Sequence, residues 1–406
     1  MTTLSQVPHR DVPIHRNLSL ALSSANFFTL GVIVASSGPA LDEFSLQTGS
    51  NLAAVGGVFT AIFLGALAAQ VFGAPLVDRL SPRRLLPFAM LLMGLGALGL
   101  TQARALWLYL LLAGISGLGQ GMVDIASHVM VSRLFAERRA SALNLLNVFF
   151  GAGAFIGPAI SGLTLRHFST ALPALWIGGG LGLILIPLAY YWLPGGRGGE
   201  NSGAKHPAAG EVESATPYRS PQLWLFGAML LLYVGMENGM GGWSSIYLQR
   251  TVNALPETGA ALTSGFWLAL ALGRIAAIFV GARFSAQRLL AASLVVTLAG
   301  TLVLGLGSGS LAGSAAGLLL IGFGFGPIFP TTIALTTTTF AHVAGRATGA
   351  VVALGSLGGM IIPWLQGALI LSVGPGITPW LALAFGLGML ASAALVGRKE
   401  TLTSKV

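Results

Sequence analysis

The sequence predicts an all-α membrane protein whose twelve transmembrane helices form two parallel six-helix repeats around a central cavity. Three observations predict it: a composition too apolar for a soluble globule, twelve long apolar blocks, and an internal repeat that divides those blocks six and six. Of 406 residues, 54% are hydrophobic and only 8% carry charge, against about 25% in an ordinary soluble domain. The mean hydropathy is +0.81. So little charge cannot cover the surface of a water-soluble protein of this length, which excludes a cytosolic enzyme or a disordered chain. The formal charge of +9 lacks a dense basic patch with interleaved aromatics, so no nucleic-acid partner is expected. Cysteine is absent, which removes disulfides, thiolate metal sites and thiol nucleophiles.

A bilayer core takes about 20 apolar residues per helix. The stretches that meet this are 18–41, 52–77, 85–102, 106–132, 142–165, 172–193, 222–248, 261–282, 288–307, 311–338, 347–371 and 378–396. Segment 1–17 is polar and the first apolar run is too long for a signal-peptide core, so it reads as an uncleaved span. The stretch Pro194–Pro221 is rich in Gly, Ser, Pro and charge, as flexible linkers are. It separates an N-terminal bundle (1–193) from a C-terminal bundle (222–406) through a cytoplasmic linker (194–221). A β-barrel would show short alternating strands instead.

Basic residues sort by side. With the N-terminus cytoplasmic, 17 fall on that side, including Arg79, Arg83, Arg84, Arg138, Arg139, Arg283, Arg288 and Arg346, against three on the other (Arg104, Arg166 and Arg250). The positive-inside rule then places both termini and the linker in the cytoplasm, with a bacterial inner membrane as the expected location.

The halves superimpose in sequence. Arg79-Leu80-Ser81 and Arg84-Leu85-Leu86 match Arg283-Phe284-Ser285 and Arg288-Leu289-Leu290 at an offset of 204, as Gly31 matches Gly235. After one inserted residue, Gly117, Gly119, Gly121 and Pro158 fall on Gly322, Gly324, Gly326 and Pro363. Both copies begin on the same side, so they are parallel repeats, an arrangement associated with alternating access around a site between the halves.

The loop Gly73-Ala74-Pro75-Leu76-Val77-Asp78-Arg79-Leu80-Ser81-Pro82-Arg83-Arg84 resembles the Gly-x-x-x-Asp-Arg-x-Gly-Arg-Arg signature of the major facilitator superfamily. The first glycine stands one place early, Ser81 replaces the second, and Pro82 takes the first arginine position. The resemblance implies that Asp78, Arg79 and Arg83 help to close the cytoplasmic side. Three further segments resemble the fucose:proton symporter-like branch, which includes sugar transporters: Tyr233-Val234-Gly235-Met236-Glu237 leading to Trp243 and Tyr247, Gly117 to Asp124, and Leu143 to Asn147 running into Phe150-Gly151-Ala152-Gly153. Gly273-Arg274 also fits, whereas His128 stands where that branch often shows asparagine. The resemblance further implies that the first, fourth, seventh and tenth spans line the cavity.

Within the apolar spans the only carboxylates are Asp124 and Glu237. An ionised carboxylate at mid-bilayer costs about 2.5–3.5 kcal/mol on insertion scales, so such groups face a cavity or a partner. A site alternating between burial and a nearby cation can bind and release a proton, which makes Asp124, Glu237, Arg274 and His128 the proton-coupling candidates. Arg274 is the expected partner of an acid, and a static ion pair that only fixes packing is the competing reading. Gln120, Asp124 and His128 recur every four residues and share one helix face. Too few ligands gather there for a metal site.

Amides supply both donors and acceptors for a hydroxyl-rich solute, and aromatic faces stack on sugar rings. The substrate candidates are therefore Asn26, Gln120, Asn147, Tyr233, Asn238, Trp243, Trp267 and Trp364. The glycine runs permit close helix approach. No nucleophile–base pair or metal set supports an enzyme. The expectation is a monomeric, cofactor-free secondary carrier in contact with membrane lipid, moving a small polar solute, a monosaccharide first, with H⁺ or else Na⁺. A proton-coupled multidrug or metabolite exporter is the alternative.

Overall fold

The computed structural model describes residues 12–73, 76, 80–193 and 217–403, and among these residues every regular element is helical. Among the described residues twelve helices are long and apolar enough to cross a membrane. The spanning helices are α1 (Val12–Ser36), α2 (Leu52–Ala68), α3 (Pro82–Leu100), α4 (Leu106–Leu134), α5 (Arg139–Phe168), α6 (Pro173–Trp192), α7 (Pro221–Val252), α8 (Pro256–Gly281), α9 (Ala286–Leu306), α10 (Leu311–Phe325 continued by Ile328–Thr339), α11 (Ala344–Ser372) and α12 (Ile377–Thr403). The linker residues 194–216, and Asp78 and Arg79 of the signature loop, lie outside the described residues.

Local chemistry sets the helix ends. Pro82, Pro173, Pro221 and Pro256 open α3, α6, α7 and α8, where a missing N–H costs nothing and φ is already helical. Asn51 caps α2 by accepting the Ala54 N–H at 2.9 Å, and Ser310 caps α10 by accepting that of Gly313 at 3.0 Å.

Two sequence boundaries are corrected. The first apolar run extends to residue 41, but α1 stops at Ser36 and a separate helix, Leu41–Thr48, follows. Pro39 disfavours helical backbone at Gly38 and cannot donate to the ladder. The tenth apolar run is continuous in sequence, but Gly326-Pro327 interrupts its helix for the same reason. The second span also changes character: α2 passes into a π turn at Ala69–Gly73.

Packing repeats with the sequence. In the first half α1 packs on α5 and α6, α4 on α2 and α3, and α3 on α6; in the second, α7 packs on α11 and α12, α10 on α8 and α9, and α9 on α12. Bare glycine surfaces make these approaches possible. A methyl group at Gly117 would collide with the backbone of Ile62, and one at Gly358 with that of Leu231. The halves meet through two helix pairs, α5 with α8 and α2 with α11. α1 and α4 therefore lie between α2 and α5 on the face turned to the second half.

Candidate functional site

The termini define one end of the molecule, called inner here, and the α1–α2 connection lies at the other, outer end. Contacts joining the halves concentrate on the outer side. Asp42 meets Arg250 at 3.2 Å. Gly38 approaches the backbone of Gly241 and Gly242. The Thr60 hydroxyl donates to the Met360 carbonyl at 2.7 Å, and that of Ser264 to the Phe155 carbonyl at 2.5 Å. Deeper in, Phe150 faces Trp267 edge-on with ring centres 6.3 Å apart, and Phe63 lies against Gly359.

Below this closure lies the charge pair of the second half. Arg274 on α8 donates through Nη2 to Glu237 Oε1 on α7 at 3.2 Å. The glutamate side chain is 11% exposed and the arginine 25%. Tyr233 stands one turn before Glu237, its ring held by Phe325 and Phe329 of α10. Its hydroxyl faces the pair but makes no hydrogen bond of good geometry, and Arg274 Nε is likewise unpartnered among the described residues. Trp267, two turns outward of Arg274, carries an unpartnered buried Nε1–H. Seven residues of helix put about 10 Å between the Trp267 and Arg274 levels.

In the first half, Asp124 and His128 form an i, i+4 pair on α4, Nδ1 to Oδ1, at 3.2 Å. His128 Nδ1 also lies 2.9 Å from the Asp124 carbonyl. The His128 ring meets Phe27 of α1 edge-on at 5.2 Å. Trp107 and Leu111, both exposed, mark the outward face of α4. Asp124 lies about 100–140° round the helix from them, on the side of the glycines that rest on α2. Its side chain is 46% exposed. Asp124 therefore lies on the side of α4 turned to α2.

The other sequence candidates separate. Gln120 is buried and donates to Ser116 at 3.2 Å, which in turn donates to the Met93 carbonyl. Asn26 is buried with an unpartnered Oδ1. The amides of Asn147 and Asn238 donate to carbonyls one turn earlier on their own helices, Leu143 and Val234. Trp243 is fully enclosed: its Nε1–H donates to the Pro363 carbonyl at 2.9 Å and its ring is wedged between Gly56 and Gly367. Its ring is thus covered from both halves. Trp364 is half-exposed. Arg83 lies over the Tyr190 ring at 4.9 Å, while Asp78 and Arg79 of the same loop are outside the described residues.

Sequence reasoning missed Gln366, a fully buried amide on α11 with neither side-chain atom partnered, lying against Gly239. It also missed Thr60, Ser264, Phe63 and Phe150. Among the described residues no group of three acidic, histidine or cysteine side chains is placed to hold a metal.

Comparison with known proteins decides the family. The model of the Major Facilitator Superfamily matches residues 19–363. The chain belongs to this superfamily. It is a multi-pass membrane protein of a transporter family. It is 26% identical over 385 residues to sodium-dependent glucose transporter 1 of Danio rerio, covering 87% of this chain and 64% of that protein. It is 23% identical over 286 residues to the Homo sapiens protein of the same name, covering 63% and 55%. The chain thus spans less than two thirds of the length of these relatives. A TsgA homolog of Erwinia tasmaniensis is 23% identical, with 70% of this chain and 71% of that one covered. A crystal structure of a mutant of the nucleoside transporter NupG superimposes with a TM-score of 0.77 at 11% identity, covering 95% of this chain and 99% of that chain. That likeness establishes the shared twelve-helix fold.

Proposed function

We propose that this superfamily member is a secondary carrier that takes up a monosaccharide together with protons by alternating access. It works as a cofactor-free monomer in a bacterial inner membrane, with both termini and the linker cytoplasmic. The observation that carries the reading is the layered order of side chains along α8. An aromatic roof of Phe150 and Trp267 lies outward of the Glu237–Arg274 pair, with about 10 Å of helix between them. In this reading the solute binds between these two levels once the halves part. Trp267 offers an aromatic face and an N–H; Tyr233, Arg274 and Glu237 offer donors and acceptors to hydroxyls.

Asp124 and Glu237 are the proton-coupling groups. Protonation of Glu237 weakens its hold on Arg274 and frees guanidinium donors for the solute, while Asp124 exchanges its proton through the wet space between the halves. A histidine hydrogen-bonded to Asp124 suits a proton better than a cation shell of oxygens. The closed outer side corresponds to the inward-facing state, and the signature loop with Asp78, Arg79 and Arg83 closes the opposite side in the other state. Sodium coupling is the second reading, favoured by the sodium-dependent names of two relatives.

The test is uptake by proteoliposomes of labelled hexoses beside a lipophilic cation, under an inward proton gradient. Hexose accumulation supports the reading. Exclusion of the cation with all hexoses inert identifies an exporter instead.

A further inference from the structure

The two hydroxyl-to-carbonyl bonds that join the halves are copies of one another. Thr60 and Ser264 stand 204 residues apart, and Phe155 and Met360 stand 205 apart, the offsets that relate the two repeats elsewhere. In one bond α2 donates to α11, and in the other α8 donates to α5. Each acceptor lies three residues before a proline inside its helix, Pro158 in α5 and Pro363 in α11. Such a proline removes a ladder bond and loosens the turn ahead of it, which leaves the carbonyls there open to a second donor. One turn inward of each hydroxyl stands an aromatic that also packs across the interface, Phe63 on Gly359 and Trp267 on Phe150.

We propose that Thr60 and Ser264 are positioning residues of the transport cycle, twin clasps that hold the outer side shut and must both open for the site to face outward. The inference rests on the alternating-access reading above. The chemistry suits repeated opening. A serine or threonine hydroxyl in a helix can turn back to the carbonyl four residues earlier, here Gly56 and Ala260. Each donor therefore has a weaker fallback when the clasp is broken, so closure is favoured while parting the halves strands no polar group. A charged clasp at the same depth would have to be rehydrated at every turnover. The Asp42–Arg250 pair, by contrast, sits at the exposed rim.

The chain has no cysteine, so Ala35→Cys supplies a single reporter thiol. Ala35 is 1% exposed and packs in the apolar cluster of the second half, although it belongs to α1. The measurement is the rate of N-ethylmaleimide labelling of purified full-length protein in detergent. Thr60→Val and Ser264→Ala should each raise the rate about fivefold, the worth of one neutral hydrogen bond. The double variant should raise it about 25-fold if the two act independently. Thr60→Ser and Ser264→Thr, which keep the hydroxyls, should label like the parent. An unchanged rate in the double variant overturns the proposal. So does fast labelling in the hydroxyl-keeping pair, since packing and not the hydroxyl would then hold the seal. The assay uses no solute, so inert hexoses in the uptake assay, with labelling graded as described, would overturn the sugar reading and leave the clasps standing.

Discussion

Arg274 and Glu237 meet at 3.2 Å within the second half, bridging α8 to α7. The pair therefore ties together two helices of the same bundle. The groups that join the bundles, Thr60, Ser264 and Asp42 with Arg250, are placed outward of it. The charge pair and the two hydroxyl clasps are thus different residues, and substitutions should separate their effects.

Removing one member of the buried pair leaves the other charge uncompensated. Arg274→Gln should lower stability by about 3–5 kcal/mol. The double variant Glu237→Gln with Arg274→Gln should recover most of that loss. Thermal unfolding of the purified proteins in detergent measures both, and additive losses would show that the two side chains do not act as a pair.

Asp124→Asn should separate stability from function. The side chain is nearly half-exposed and its partner is a histidine on the same helix, so the loss of stability should stay below about 1 kcal/mol. Gradient-driven accumulation should nevertheless disappear while solute exchange at equal concentrations continues. Loss of exchange as well would give Asp124 a role in binding the solute rather than in coupling.

Glycine contacts predict where bulk is tolerated. A side chain at Gly117 meets the backbone of Ile62, whereas Gly180 has open space around it. Gly117→Val should cost at least about 1–3 kcal/mol through overpacking and reduce the yield of folded protein. Gly180→Ala should be neutral or slightly stabilising, by up to about 1 kcal/mol. Size-exclusion profiles and unfolding temperatures of the two variants provide the comparison.

The rim pair should matter little in salt. Arg250 is exposed and Asp42 partly so, so Asp42→Asn should change stability by less than about 1 kcal/mol, and less still at high ionic strength. Unfolding measured at low and high sodium chloride tests this; a large, salt-independent loss would contradict it.

Span number and repeat were legible because hydropathy and charge act at the scale of whole helices. The break at Gly326-Pro327 was marked by its own residues, yet the apolar run passed over it. The Glu237–Arg274 pair was legible because few charges enter the spans, leaving Arg274 as the expected partner. The enclosure of Trp243 was not legible because depth in a span does not tell which face of the helix a ring occupies, and here Gly56 and Gly367 cover it. Gln366 gave no local signal, since an amide looks the same in sequence whether satisfied or not. Thr60 and Ser264 were detectable in principle: a hydroxyl recurs at the repeat offset, beside recurring prolines.

The most direct measurement follows protons rather than sugar. Glucose is added outside proteoliposomes with no imposed gradient, and the external pH is recorded. Coupled entry predicts alkalinisation of the medium as protons follow glucose inward, abolished in Asp124→Asn and Glu237→Gln. Glucose entry with no pH change, or with movement of sodium in place of protons, would contradict the account.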